Sequence, residues 1–270
     1  MFNIHIKNKS KRERVKIHPT SVIHKEACLA DGVEIGPYTS IEKNVSIGEN
    51  TMIGPNVFIE GGTTIGKNCY ISKGVVLGTP PQDFKYKGEK TYLNIGNNNV
   101  IREYVTINRS TEDGKATVLG DNNYLMAYSH VAHNCRLGNG IVMANAAALG
   151  GHVNIEDNAI LGGLVGVHQF VNIGKLSIIG GCSKVVKDVL PYAKADGHPL
   201  KIYNLNSVGL RRNNFPEEVI NLLKEAFKII FRVGLNTSQA LDKLKEQFPD
   251  QKEVKHIIAF IEKSKRGITK

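Results

Sequence analysis

Aliphatic residues recur at every sixth position of this chain, from Ile17 to Val185. Of the 29 positions in this register, only three are polar, namely Asp83, Glu89 and Asp113. Glycine often follows the aliphatic residue, and a small or β-branched residue often stands four positions after it. A six-residue period is typical of a parallel β-helix, in which each hexapeptide forms one short side of a prism. The pattern therefore predicts a solenoid whose narrow core is filled by the aliphatic residues.

The period also predicts which residues lie above one another. Three hexapeptides make one coil, so residues 18 apart are expected to stack at the strand-pairing spacing of about 4.8 Å. One such column contains Leu77, Ile95, Asp113, Val131, Leu149 and Val167. Two interruptions of the repeat, 78–94 and 108–118, are expected to start beside this column, and His133, His152 and His168 follow its members. Because function is commonly carried by loops on a rigid scaffold, we expect the site at this edge.

From Phe215 onward the apolar period changes to about 3.6 residues, which indicates amphipathic helices. Three apolar stripes are present: Val219, Ile220, Leu223, Phe227 and Ile230; Leu241, Leu244 and Phe248; Val254, Ile257, Ile258 and Ile261. Pro216 is expected to open the first helix, and Thr237 or Ser238 to cap the second. The sequence thus predicts a basic extension over residues 1–16, a β-helix over 17–200 and an α-helical C-terminal domain over 201–270.

The net charge of +10 is concentrated at the two ends of the chain. Residues 1–16 carry +5 and residues 201–270 carry +6, which leaves −1 for the segment between them. A basic surface can bind nucleic acid, an anionic membrane or an acidic protein. Trp is absent, and aromatic residues are not interleaved with basic ones as in single-stranded nucleic-acid binders. We therefore expect no nucleic acid, and an acidic protein that docks beside the helices.

The chain shows no membrane or secretory signal. No segment is long and apolar enough to span a bilayer, and no hydrophobic stretch follows the basic N-terminus. The four cysteines form no CxxC pair, and Cys69 and Cys135 occupy the small-residue position of the repeat. Packing cysteines of this kind are typical of a reducing compartment, so we expect a cytoplasmic protein.

Histidine is the residue type most informative about chemistry. Five of the nine histidines lie in the middle coils or just beyond them: His130, His133, His152, His168 and His198. Two interpretations follow from their grouping. Histidines that converge from adjacent coils could bind zinc, or one of them could act as a general base while the others bind substrate.

Several motifs resemble one family closely. They are GTPPQDFKYKGE (78–89), IREYVTINRST (101–111), YLMAYSHVAHNC (124–135), LGGHV (149–153), GVHQF (166–170) and NSVGLRRNNF (206–215). Together with the hexapeptide array they resemble the acyl-[acyl-carrier-protein]–UDP-N-acetylglucosamine O-acyltransferases, over nearly the whole chain. The resemblance implies a left-handed parallel β-helix, a homotrimer with active sites between subunits, and the first step of lipid A biosynthesis. The acyl donor would be an acidic acyl-carrier protein, with the chain on its phosphopantetheine, and no metal or other cofactor.

The resemblance also implies residue roles. His133 matches the family's catalytic base, which would take a proton from the glucosamine 3-hydroxyl as this hydroxyl attacks the thioester. The backbone N–H of Gly151 matches the oxyanion donor. Positions matching substrate contacts are Gln82, Asp83 and Lys85 in the first interruption; His130, His152, His168 and Gln169 around the sugar, diphosphate and acyl chain; Asn206 and Arg212 at the nucleotide; and Gly181 at the end of the acyl chain.

One departure from the family pattern affects the catalytic group. The family usually has Asp after the catalytic histidine, whereas this chain has Asn134. An amide oxygen can fix the imidazole tautomer but supplies no negative charge. Acylation of a 3-amino sugar is therefore an alternative, because an amine needs a weaker base. A zinc-dependent γ-type carbonic anhydrase and a purely structural or ice-binding β-helix are more remote alternatives.

Overall fold

Short parallel strands follow one another from Lys16 to Val185 in the computed structural model, which describes residues 15–231 and 234–270. Residues 1–14 of the predicted basic extension lie outside the described ranges. The solenoid strands, in chain order, are β1 (Lys16–Ile17), β2 (Val22–Ile23), β3 (Cys28–Leu29), β4 (Glu34–Ile35), β5 (Ser40–Ile41), β6 (Ser46–Ile47), β7 (Met52–Ile53), β8 (Phe58–Ile59), β9 (Thr63–Ile65), β10 (Tyr70–Ile71), β11 (Val76–Thr79), β12 (Tyr92–Ile95), β13 (Val100–Ile101), β14 (Thr106–Asn108), β15 (Ala116–Leu119), β16 (Tyr124–Leu125), β17 (His130–Val131), β18 (Arg136–Leu137), β19 (Val142–Met143), β20 (Ala148–Leu149), β21 (Asn154–Ile155), β22 (Ile160–Leu161), β23 (Gly166–Val167), β24 (Asn172–Ile173), β25 (Ile178–Ile179) and β26 (Lys184–Val185).

Every third strand pairs in parallel with the one before it, which gives the solenoid three faces. Face A contains β1, β4, β7, β10, β13, β16, β19, β22 and β25, and it continues into β27 (Ala193–Asp196) and β28 (Lys201–Leu205). Face B runs from β2 to β26 and face C from β3 to β24. The aliphatic residue of each hexapeptide points inward, and nearly all of these side chains are buried. The predicted left-handed parallel β-helix with a helical C-terminal region is confirmed.

The stacking column predicted from an 18-residue spacing is partly wrong. Leu77 pairs with Ile107, 30 residues on, and Ile107 pairs with Val131, 24 residues on. Ile95 instead lies in face C, where it pairs with Ile65, and Asp113 lies in a loop. Each interruption adds a multiple of six residues, twelve in the first and six in the second. The aliphatic residues therefore keep their six-residue period along the sequence, although residues 18 apart no longer stack across an interruption.

Both interruptions of the repeat nevertheless lie at the predicted edge. Loop 80–91 joins β11 to β12, and loop 109–115 joins β14 to β15, so each leads from face B to face C. The flanking strands extend into the segments that the sequence suggested as interruptions. His133, His152 and His168 also follow strands of face B. We call the turns and loops that lead from face B to face C the B–C corner.

Buried threonines complete the backbone hydrogen bonding at the turns. Thr51 is fully buried, and its Oγ1 accepts from the Cys69 N–H at 3.0 Å and donates to the Gly66 carbonyl at 2.8 Å. Thr39 makes the equivalent bonds with Val57 and Gly54. A turn N–H that the strand ladder leaves unpaired therefore receives an acceptor from the coil below.

The C-terminal region closes the end of the solenoid with four helices: α1 (Ser207–Arg212), α2 (Glu217–Phe231), α3 (Thr237–Gln247) and α4 (Lys252–Lys263). The cap of α3 is Asn236 and not Thr237 or Ser238, because the Asn236 side chain and Gln239 form a reciprocal capping box. Helix α4 is tied to the solenoid by His256 Nε2 to Glu156 Oε2 at 2.8 Å, and Ser264 donates to buried Asp188. Within the described ranges, no helix has the length and apolarity needed to cross a bilayer.

The buried threonine bonds predict a stability difference. Thr51→Val keeps the side-chain volume but leaves the Cys69 N–H without its acceptor, which should lower the free energy of unfolding by about 1–3 kcal/mol. Thr20→Val is the matched control, because Thr20 Oγ1 accepts from the Tyr38 N–H at 3.1 Å on an exposed turn where water can replace it. Denaturant unfolding measured side by side should show a lower midpoint for Thr51→Val alone. Equal midpoints would contradict the role of the buried hydroxyl.

Candidate active site

At the B–C corner, the left-handed turn position carries a large side chain on two of three successive coils. Asn134, His152 and Phe170 occupy it on successive coils, with φ of 60°, 60° and 66°. At the corner that leads from face C to face A, the same left-handed position is Asn or Gly on every coil from Gly32 to Asn158. Left-handed backbone favours Gly and Asn, and larger side chains adopt it at a cost. Residues that stand there despite the cost are candidates for function.

The His133 imidazole is held against Asn134. His133 Nδ1 lies 2.9 Å from Asn134 Oδ1, which also accepts from the Thr111 N–H at 3.0 Å and from the Thr111 hydroxyl at 2.9 Å. A backbone N–H can only donate, so this end of the amide must be the oxygen. In the neutral ring, His133 Nδ1 therefore carries the proton and Nε2 has the free lone pair. This is the tautomer required of a general base acting through Nε2.

The first loop brings a carboxylate to the free nitrogen. Asp83 Oδ2 lies 3.9 Å from His133 Nε2, and Asp83 Oδ1 accepts from the Lys85 N–H at 2.9 Å in a tight turn. Gln82, Phe84 and Lys85 are exposed. The described loop thus presents one acid to the imidazole and three side chains to the outside.

Gly151 is required for the position of the imidazole. A Cβ built on Gly151 would lie 2.6 Å from His133 Nε2 and closer still to Cε1. Real side-chain carbons do not approach other atoms so closely, so the absence of a side chain at residue 151 makes room for the ring. Among the described residues, the Gly151 N–H donates to no backbone oxygen.

Two further imidazoles surround His133. His152 packs edge-on against it with ring centroids 5.3 Å apart and stacks on Phe170 at 4.6 Å. The Nδ1 of His130 lies 2.7 Å from the hydroxyl of Thr106. Burial lowers the pKa of both His130 and His152, and the positive charge that His133 carries when protonated lowers it further. Both rings are consequently biased toward the neutral form beside the base.

The remaining predicted site residues lie outside the group of side chains around His133. His168 and Gln169 lie one coil further along the B–C corner and are exposed, with His168 Nδ1 3.1 Å from the Gln169 carbonyl oxygen. Gly181 follows β25 and lies at a different corner, between faces A and B. Asn206 caps α1: its Oδ1 accepts from the Gly209 N–H, and its Nδ2 donates to the Leu176 carbonyl. Arg212 is exposed in the last turn of α1.

Sequence reasoning missed the residues that hold Asn134. Ser110, Thr111 and Glu112 begin the second loop, and all three hydrogen-bond to the Asn134 side chain. The sequence does contain a signal for these residues: a run of small polar and acidic residues begins the interruption at the same edge as His133. Only the corrected stacking shows that this run lies directly below Asn134 in the preceding coil.

Comparisons with known proteins agree on one family. The model for domain 2 of UDP N-acetylglucosamine O-acyltransferases matches residues 188–269, and a bacterial transferase hexapeptide model matches 44–79. The acyl-[acyl-carrier-protein]–UDP-N-acetylglucosamine O-acyltransferase of Alkalilimnicola ehrlichii is 53% identical over 94% of this chain and 98% of its own. This chain belongs to that O-acyltransferase family.

Solved structures of UDP-N-acetylglucosamine acyltransferases have the same fold. That from Bacteroides fragilis superposes with a TM-score of 0.92 at 42% identity, covering 94% of this chain and 100% of that one. That from Francisella novicida gives 0.91 at 39% identity, covering 94% and 93%. Membership in the O-acyltransferase family gives no support to the 3-amino, carbonic anhydrase or structural alternatives. Among residues 15–231 and 234–270, no group of three or more His, Cys, Asp or Glu is arranged to hold a metal ion.

The contact between Gly151 and His133 predicts a structural change in a variant of this O-acyltransferase family member. Gly151→Ala should push the imidazole away from Asn134, so that the bond from His133 Nδ1 to Asn134 Oδ1 is lost. Gly163→Ala is the matched control from the same Leu-Gly-Gly sequence, because its Cβ would stand 3.4 Å from the Asn145 carbonyl, an ordinary contact. Crystal structures of both variants measure the effect. An unmoved imidazole in Gly151→Ala would contradict it.

Proposed function

We propose that this chain transfers a (3R)-3-hydroxyacyl group from acyl-carrier protein to the 3-hydroxyl of UDP-N-acetylglucosamine, the first step of lipid A biosynthesis. Family membership supports the reaction, and one observation supports the assignment of the base. His133 has its Nδ1 fixed by Asn134 and its Nε2 lone pair directed to a corner lined by Asp83 and Gly151.

In this mechanism His133 Nε2 takes the proton of the sugar 3-hydroxyl while its oxygen attacks the thioester carbonyl. The negative charge that develops on the carbonyl oxygen is met by the Gly151 N–H, which has no backbone acceptor of its own among the described residues. Collapse of the tetrahedral intermediate breaks the C–S bond, and the imidazolium returns the proton to the departing phosphopantetheine sulfur. Asn134 holds the ring in one tautomer throughout.

The other site residues are proposed to bind the substrates. Gln82, Asp83 and Lys85 of the first loop and His130, His152, His168 and Gln169 of the B–C corner would contact sugar, diphosphate and acyl chain. Arg212 is exposed and suits a phosphate of the nucleotide. Asn206 fits a direct contact role least well, because both ends of its amide are already bonded; it would act by placing α1.

The distribution of these residues supports a site shared between protomers of a homotrimer. Gly181, proposed to limit acyl length, lies at another corner from His133, so two chains can bring them together. The turns that lead from face A to face B, where Gly181 lies, also expose apolar side chains suited to such contact. Tyr104 and Tyr128 stack there with ring centroids 5.2 Å apart, and Leu164 lies one coil beyond Ala146 in the same row of turns. Phe84, flanked by Asp83 and Lys85, is fully exposed and would be covered by the neighbour.

We assign the docking site of the carrier protein to the basic C-terminal region. We also propose that the reaction takes place in the cytoplasm and requires no metal or other cofactor. A groove of about 790 Å³ between β28 and α2 combines Lys201, Lys224, Lys228 and Lys270 with the apolar side chains of Phe227 and Phe231. An acidic surface is complementary to this charge, and its attraction would act mainly on the rate and specificity of encounter.

His133→Ala tests the proposed function. The variant should lose about 10²–10⁴-fold in kcat, the usual contribution of a general base, while keeping its fold. The assay follows acyl transfer from a 3-hydroxyacyl carrier protein to UDP-N-acetylglucosamine. His18→Ala, an exposed histidine at the far end of the solenoid, is the control and should retain full activity. More than about a tenth of the activity remaining in His133→Ala would contradict its role as base.

Charge reversal tests the carrier surface. Lys224→Glu with Lys228→Glu should raise the KM for acyl-carrier protein about tenfold at low salt, and added salt should reduce the difference. The KM for UDP-N-acetylglucosamine should stay unchanged. Two charge reversals remote from the groove, Lys25→Glu with Lys43→Glu, control for net charge. Equal carrier KM values in the two double variants would place the carrier elsewhere.

A further inference from the structure

The Asn134 amide is held from its nitrogen side as firmly as from its oxygen side. Its Nδ2 donates to Ser110 Oγ at 2.7 Å and to Glu112 Oε1 at 3.1 Å. Ser110 is fully buried, and its Oγ also accepts from the Glu112 N–H at 3.2 Å. The second loop therefore surrounds the residue that follows the base.

Glu112 is one of two contacts that decide which way the amide faces. An ionised carboxylate can only accept, so it pairs with the amide NH₂ and excludes the reversed orientation, in which oxygen would face oxygen. The Thr111 N–H favours the same amide orientation, because it donates to Asn134 Oδ1. With the amide so fixed, its oxygen is the atom that meets His133 Nδ1.

We propose that Glu112 is a positioning residue for the reaction: it locks the Asn134 amide and supplies, one hydrogen bond further from His133, the negative charge that Asn134 lacks. This inference rests on the proposed role of His133 as base. As the imidazole takes the proton, the positive charge is attracted to the Glu112 carboxylate through a polarised amide. Because Glu112 is exposed, solvent screens its charge, and its effect should be a few-fold.

The geometry also explains why an aspartate at residue 134 would not suit Glu112. In Asn134→Asp, a carboxylate oxygen would replace Nδ2 and face Glu112 Oε1 across 3.1 Å. Two carboxylates at this distance repel each other, and one of them tends to take up a proton. Asn134 and Glu112 therefore form a matched pair in which the amide next to the base donates to the acid behind it.

Other titratable groups around His133 must be kept constant in the test. They are Asp83 from the first loop, His130 on β17 and His152 after β20. The matched control for charge is Asp113→Asn. Asp113 is exposed and adjacent to Glu112, but its Oδ1 accepts from the Lys90 N–H at 3.1 Å and it makes no bond to Asn134. An amide oxygen at residue 113 can keep that bond.

The experiment measures steady-state kcat and KM across pH for wild type, Glu112→Gln, Asp113→Asn, Asn134→Asp and the double variant Glu112→Gln/Asn134→Asp. Glu112→Gln retains an acceptor for Asn134 Nδ2 and removes only the charge. Its kcat should fall about three- to tenfold with both KM values unchanged, and the acid limb of its kcat/KM profile should move about half a pH unit lower. Asp113→Asn should match wild type.

The remaining variants test the pairing. Asn134→Asp alone should not exceed wild type, whereas the double variant should exceed both single variants, because the amide introduced at residue 112 can donate to the carboxylate introduced at residue 134. The proposal is overturned if Glu112→Gln matches Asp113→Asn in kcat and pH profile, or if Asn134→Asp alone raises kcat above wild type. An error in the proposed function would give a different result, because wild type and Asp113→Asn would then also transfer no acyl group.

Discussion

The parallel strand ladder is the constraint on which the rest of this molecule depends. Each short strand of the solenoid pairs with the strand one coil away, so every coil must return to the same three faces. Extra residues can then be accommodated only where the chain turns. Here both loops, 80–91 and 109–115, leave at the B–C corner, and the ladder continues across them through Leu77, Ile107 and Val131. A rigid prism thereby presents two loops and three imidazole-bearing turns on one edge.

That constraint explains what could be predicted from sequence. The six-residue period shows the solenoid because an inward aliphatic residue is required on every face, and the same argument identifies the edge where the repeat breaks. The period could not show that Ile95 and Asp113 leave the column, because insertions of twelve and six residues preserve the register in sequence while changing it in space. The cap of α3 at Asn236 was missed for a local reason: three neighbouring residues are all good caps, and only the bonds to Gln239 distinguish them.

The candidate site could be predicted less completely than the fold. The repeat places His133 and His152 at the corner, whereas Asp83 is expected at the site only from the family resemblance. The contacts of Ser110, Thr111 and Glu112 with Asn134 depend on how the loop 109–115 folds back onto the next coil, which no periodicity describes. These contacts nonetheless give the site its chemistry, because they determine which atom of Asn134 faces the imidazole. The lowered pKa values of His130 and His152 add to this by favouring neutral neighbours.

The central inference is that the loop fixes His133 with its proton on Nδ1 and its lone pair on Nε2. Neutron diffraction from deuterium-exchanged crystals of the protein at about pH 9, where an ordinary imidazole is neutral, tests it most directly, because deuterium positions are seen and not assigned. We expect deuterium on His133 Nδ1, none on Nε2, and the deuterated amide of Asn134 directed at Ser110 and Glu112. Deuterium on Nε2 with a bare Nδ1, or an Asn134 amide turned the other way, would contradict the assignment of His133 as the base.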